Sequence, residues 1–151
     1  DSVEKRIGIV LPDDYKEFIS IYGTGYIGDF IRVFNPFCEY PSLNLEKQMN
    51  DQLGALRQIK DDFGESESPY PLFPESNGLL PWGITDNGDV LYWLTRGSSD
   101  QWHSVVNESR GPYFEEFQDS MVTFLIKLIQ GEIQSDIIPR EFLSTPCLFV
   151  P

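Results

Sequence analysis

A chain of 151 residues, 40% hydrophobic and 14% aromatic, has the length and apolar content to bury one compact core, which argues against global disorder. Its 24 acidic against 11 basic residues leave a formal net charge of −13, so nucleic acid and anionic membrane surfaces would repel it, while a basic partner would be drawn in. No run approaches the roughly 18 apolar residues of a membrane span, and no signal-peptide pattern opens the chain.

Leu11-Pro12-Asp13-Asp14 announces a helix, since proline suits the first turn and carboxylates favour the positive end of the helix dipole. Tyr15, Phe18, Ile19 and Tyr22 follow as an apolar stripe at helical spacing, and Gly23 is expected to end it as a left-handed cap. Gly23-Thr24-Gly25-Tyr26-Ile27-Gly28 matches the dinucleotide pattern G-x-G-x-x-G in letters only. Phosphate binding needs a strand before it and a helix after it, whereas here the order is reversed, so a glycine-rich turn is the better reading. Phe30–Phe34 reads as a strand stopped by Asn35-Pro36.

A second, longer helix is predicted over Leu43–Phe63, carried by Leu45, Met49, Leu53, Leu56, Ile59 and Phe63 and closed by Gly64. Gly54 in its interior costs about 1 kcal/mol relative to alanine and is read as a kink or a close packing contact. Glu65–Gly78 holds Pro69, Pro71 and Pro74 without periodicity and reads as a long loop, a length often functional.

Leu79–Thr85, Val90–Thr95 and Trp102–Asn107 are rich in β-branched and aromatic residues. Asn87-Gly88 between the first two suggests a type I′ hairpin, so a three-stranded antiparallel meander is predicted. Its middle strand alternates Val90, Tyr92 and Leu94 with Leu91 and Trp93, which requires helices over at least one side. Tyr113–Phe117 is a short fourth strand after the turn Asn107–Pro112. Asp119-Ser120 caps a third helix, Met121–Gln130, apolar nearly all round, therefore buried, and stopped by Gly131. Beyond Glu132 the apolar residues Ile137, Ile138, Phe142, Leu143, Leu148 and Phe149 lie between Pro139, Pro146 and Pro151, and this tail is expected to pack back on the core. The predicted architecture is α+β: a mostly antiparallel sheet with a central three- to four-strand meander, packed against about three helices, as a single domain over residues 1–151 with its core at about 11–131.

Chemistry-bearing patterns are weak. His103 is the only histidine, no G-x-S-x-G elbow accompanies it, and a lone histidine in a strand reads as structural or surface. Asp86, Asn87 and Asp89 resemble the start of a calcium loop, but the bidentate acid the pattern needs falls on Gly97. No carboxylate pair stands out for glycoside hydrolysis. Cys38 and Cys147 form neither a disulfide framework nor a Cys-x-x-Cys metal spacing, so a reduced, cytoplasmic protein is expected, with one disulfide as the alternative. No catalytic, metal or cofactor-binding residue is predicted, and an enzyme is not expected. The chain opens on Asp1 rather than Met, from which a trimmed start is expected.

The chain resembles the SUKH superfamily, bacterial immunity proteins related to fungal regulators of cell-wall synthesis. The resemblance rests on Leu11-Pro12-Asp13-Asp14-Tyr15 with Phe18-Ile19 and Tyr22-Gly23, on Leu80-Pro81-Trp82-Gly83, and on Asn87-Gly88-Asp89-Val90-Leu91-Tyr92-Trp93. The late helix Ser120–Gly131, with Phe124-Leu125 inside, completes it, so that residues 11–131 are covered while the segment before Leu11 and the tail are not. Pro12, Trp82, Gly83, Gly88, Leu91 and Trp93 match the family pattern as core and turn residues.

The resemblance implies binding: neutralisation of a cognate secreted toxin inside the producer. An acidic inhibitor would be steered to a basic toxin such as a nuclease. The candidate contacts are acids and aromatics expected to project from turns, namely Asp86, Asp100, Trp102, Glu108, Glu115 and Glu116, with Tyr70 and Phe73 from the proline loop. The alternatives are a regulatory scaffold binding several cellular proteins, as in the fungal branch, and a small hydrolase using His103 or a carboxylate pair.

Overall fold

The computed structural model describes residues 2–27, 30–64, 69–109, 113–139 and 149–150. Its helices are α1 (Ser2–Ile7), α2 (Asp13–Tyr22), α3 (Leu45–Phe63) and α4 (Met121–Gln130). Its strands are β1 (Tyr26–Ile27), β2 (Ile31–Val33), β3 (Leu79–Thr85), β4 (Val90–Leu94), β5 (His103–Asn107), β6 (Phe114–Phe117) and β7 (Phe149–Val150). All neighbours pair antiparallel in the order β6-β5-β4-β3-β2-β1-β7. The block β2 to β6 is the body of the sheet, and the two-residue strands β1 and β7 extend it. The α+β expectation and the predicted meander are both met.

Residues paired across strands share a face of the sheet, so the register divides the core. Leu80, Trp93, Ser104 and Phe117 form one row. That row meets α2 and α4: Tyr15 stands edge-on to Trp93 with ring centroids 4.9 Å apart, and Phe117 packs on Phe124 at the same distance. Pro81, Tyr92, Val105 and Glu116 form the opposite row, covered by α3 and by the segment Tyr70–Phe73. Every residue of β4 is buried, so helices or loop clad both faces rather than one.

The β3–β4 hairpin forms as predicted, but with a different turn. The Thr85 N–H donates to the Asp89 carbonyl and the Gly88 N–H to the Thr85 carbonyl, and only Gly88 has positive φ (+90°). This is a three-residue loop closed by a glycine bulge, not the type I′ turn, which needs positive φ at Asn87 as well. A second irregularity in β3 between Pro81 and Gly83 lets Trp82 reach Phe124 of α4 while Gly83 stays paired with Leu91. A Cβ on Gly83 would lie 2.9 Å from the Arg32 carbonyl oxygen.

Four further expectations are corrected. Gly23 ends α2 with φ +67° and ψ −133°, outside the left-handed helical region, because the chain must turn straight into β1. The helix α3 begins at Leu45, since Pro41–Leu43 make a 3-10 turn and the Asn44 side chain accepts from the Lys47 N–H. Gly54 packs against nothing: a Cβ there would meet open space. Met49 is only partly buried, and Ile59 and Phe63 of the apolar stripe are exposed, so α3 leaves the core in its last turns.

Described residues towards both ends of the chain belong to the fold. Val3 of α1 is buried, and Glu4 accepts a hydrogen bond from the Leu11 N–H at 2.7 Å. Ile137 and Ile138 are buried in the core, and β7 pairs with β1. Residues 28–29, 65–68, 110–112 and 140–148, including Phe142, Leu143, Pro146, Cys147 and Leu148, lie outside the described residues, as do Asp1 and Pro151.

Candidate partner-binding surface

The residues singled out from the sequence are not brought to one patch. Asp86 and Glu108 are exposed at one end of the meander, where Asp86 pairs with Arg32 at 3.1 Å. Glu108 lines a polar cavity of about 320 Å3 with Asp89 and Asp136. Asp89 is buried with both oxygens engaged, by the Thr85 hydroxyl (2.8 Å) and the Ser109 N–H (3.0 Å), so the calcium-like letters serve the hairpin. Asp100 lies at the other end and accepts from the Asp13 N–H at 2.9 Å, at the first turn of α2. Proline at position 12 has no side-chain oxygen, so the cap comes from a distant loop. Glu115 holds the Asp136 N–H at 2.6 Å and fastens the tail.

Two of the aromatics expected at the surface are interior. Trp102 is 3% exposed, packs on Trp93 and donates its indole N–H to the Gly97 carbonyl. Phe73 is 8% exposed and sits in the core beside Leu72. A buried ring satisfies its hydrophobic demand inside the fold and has no face left for a partner.

Tyr70, Glu116 and His103 do meet. The Tyr70 hydroxyl donates to one Glu116 oxygen at 3.0 Å, and His103 Nδ1 lies 2.7 Å from the other. A carboxylate only accepts, so Nδ1 carries the proton. Burial pushes Glu116 up, but the hydrogen bonds from His103 and Tyr70 outweigh it and hold the carboxyl below its usual range. Tyr70 is pushed up to about 12, first by burial and then by Glu116. Lys60 Nζ donates to the Tyr70 carbonyl, and Arg57 donates to that of Phe73, so this cluster clasps the proline loop between α3 and the sheet edge. Among the described residues, no group of three or more His, Cys, Asp or Glu is arranged to hold a metal ion.

A different surface has two strongly exposed aromatic residues close together in the chain. Phe37 and Tyr40 are each 70% exposed on the segment between β2 and α3. Exposure here does not mean looseness. Asn35 is buried; its N–H donates to the Leu43 carbonyl, its carbonyl accepts from Cys38 and Leu45, and its Oδ1 accepts from the Phe37 N–H. From the foot of α3, Asn44 Nδ2 donates to the Pro36 and Cys38 carbonyls, at 3.2 and 3.1 Å. Both ends of the loop are therefore pinned, and Cys38 within it is a free cysteine.

Beside the loop, between α1 and α2, lies a cleft of about 310 Å3 lined by Val3, Leu11, Tyr15, Lys16, Ile19, Ser20 and Asn35–Phe37. Sequence reasoning missed this surface because Phe37-Cys38-Glu39-Tyr40 has neither helical nor strand periodicity. The available signal was two aromatics and an acid set between Pro36 and Pro41.

Helices on both faces of an antiparallel sheet, with the hairpin and bulge in the places described, define an α+β domain of the SUKH type. The chain belongs to the SUKH_6 family, whose model, described as SMI1-KNR4 cell-wall, matches residues 1–125. The match includes the segment before Leu11, which the sequence resemblance left out; the buried Val3 and the Glu4 contact to Leu11 are why that segment belongs. Membership fits an immunity or regulatory role in general. Compared with curated proteins and with solved structures, the chain has no significant match in either. No helix among the described residues is long and apolar enough to cross a membrane.

Proposed function

We propose that this protein is an immunity protein: a stoichiometric inhibitor, without turnover, that binds a cognate secreted toxin of basic character in the producing cell's cytoplasm. The observation that carries this reading is a rigid loop presenting Phe37 and Tyr40 to water on a chain of charge −13. Apolar area held in water is worth about 25 cal/mol per Å2 when covered. A loop already fixed loses little entropy on docking, and the acidic field speeds encounter with a basic protein. Family membership supports protein binding in general.

Co-expression with each candidate toxin found near its gene tests the proposal. Survival of the cells and a one-to-one complex weakened by salt are expected. Cell death despite full expression of the intact protein would overturn it. The family description, which names the cell wall, favours a second reading as a regulatory scaffold. That reading predicts several housekeeping partners in a pull-down and no toxin protection.

A further inference from the structure

We infer that Phe37, Tyr40 and the cleft beside them are the docking surface for a basic protein segment. One apolar side chain of that segment enters the cleft, and its lysine or arginine side chains face Glu17 and Glu39. This rests on the reading of the chain as a partner-binding protein and names where, and with what chemistry, the partner sits.

The cleft is built for an apolar side chain. Val3, Leu11, Tyr15 and Ile19 line it and are all buried in the fold, so its walls are fixed by the core. At about 310 Å3 it lies at the small end of ligand pockets, which begin near 300 Å3 and commonly run larger. That volume suits one anchoring side chain better than an extended ligand. Phe37 borders the cleft and Tyr40 stands three residues further on, supplying aromatic surface for the chain that carries the anchor.

Charge selects the occupant. Lys16 lines the cleft but is already paired with Glu4 at 3.3 Å and Asp13 at 3.5 Å, and Arg6 of α1 is paired with Glu46 at 2.7 Å. Lys5 lies two positions from Val3, about 200° around the helix, and so points away from the cleft. Glu17 lies one turn before the lining residue Ser20, and Glu39 lies two residues after Phe37. Both are exposed, and among the described residues neither has a cation within 4 Å. An apolar centre with an uncompensated acidic rim is complementary to a basic segment. A second copy of this chain would bring two charges of −13 together and is the poorer fit.

The test is selection of phage-displayed random peptides on the intact protein, followed by titration of the enriched peptides in synthetic form. Enriched sequences should carry an aliphatic or aromatic residue flanked by lysine or arginine. Their Kd should rise about tenfold in F37A or Y40A. It should rise by a smaller factor in E39Q and in high salt. It should be unchanged in F63A, which removes an equally exposed aromatic from α3. All four side chains are exposed, so the variants fold, and circular dichroism checks this.

Failure to enrich peptides, neutral or acidic consensus sequences, or binding indifferent to F37A and Y40A would each overturn the inference. Sedimentation showing a dimer that F37A dissolves would reassign the surface to self-association and overturn it too. The two readings fail separately. If F37A/Y40A still protects cells from the toxin, immunity stands and the docking surface falls. If the wild-type chain does not protect, immunity falls, and the peptide titrations alone decide the surface.

Discussion

Asp14 of α2 accepts a hydrogen bond from the N–H of Val122, at 3.1 Å and 108 positions along the chain, and so caps the N-terminus of α4 from outside. Ser120 occupies the cap position itself, but its hydroxyl donates to Thr123 Oγ1 instead of accepting from the helix backbone. A single carboxylate thereby fixes two helices against the same face of the sheet. D14A should lower stability by about 1–2 kcal/mol, in the range of a lost helix cap. Chemical denaturation with an unchanged m-value checks this.

Asp100 does for α2 what Asp14 does for α4, which sets it apart from a docking residue. D100A should cost about 0.5–2 kcal/mol of stability, as for other N-cap losses, while leaving partner affinity unchanged. Loss of affinity without loss of stability would return Asp100 to the contact surface.

Trp102 and Phe37 form a contrasting pair. W102A empties a buried site and should cost about 3–5 kcal/mol. F37A removes an exposed ring and should stay within about 0.5 kcal/mol of wild type. Thermal unfolding of the two variants gives the comparison directly.

The glycines separate in the same way. At Gly83 an added Cβ would press on the Arg32 carbonyl oxygen at 2.9 Å and on Leu91 Cδ1 at 3.2 Å, and a mid-sheet backbone cannot yield. G83A should therefore destabilise by about 1–3 kcal/mol, as overpacking does. G54A has open space and gains helix propensity, so it should stabilise by up to about 1 kcal/mol. Denaturation midpoints should move in opposite directions.

Acid should loosen the clasp on the proline loop. Glu116 is held below its ordinary 4.5 in the folded protein, so its contribution to stability is present above pH 4.5 and is lost as pH falls through the lower folded value. Glu4 follows the same sign, lowered chiefly by the Leu11 N–H and then by Lys16. Unfolding measured on wild type and E116Q should show wild type the more stable at neutral pH, with the gap closing below pH 4.5. A gap that persists in acid would show that the carboxylate is not what holds Tyr70.

Much of the fold was legible because its determinants are local. The stripe Tyr15-Phe18-Ile19, the alternation in Val90–Leu94 and the glycine after Asn87 each express a backbone preference that a few neighbouring residues decide. Local reasoning erred on the turn type at Asn87-Gly88, and of its two options for Gly54 the close packing contact fails, because only the geometry of the neighbouring elements distinguishes such options. It also lost the segment before Leu11, whose place depends on Val3 being buried in a core built from distant residues and on Glu4 accepting from the Leu11 N–H.

The surface was legible hardly at all. Asp86, Asp100, Glu115 and Glu116 look alike as acidic letters, but each is engaged by a partner: Arg32, the Asp13 N–H, the Asp136 N–H and His103 with Tyr70, respectively. Trp102 went inside and Phe37 outside, although both are aromatic and both follow a turn or loop signal. The sequence by itself determined the class of fold, the meander and the net charge, because periodicity, turn chemistry and charge are properties of short stretches or of simple sums. Only the tertiary structure decided which side chains face water, because burial and hydrogen-bond partners are supplied by segments far apart in the chain.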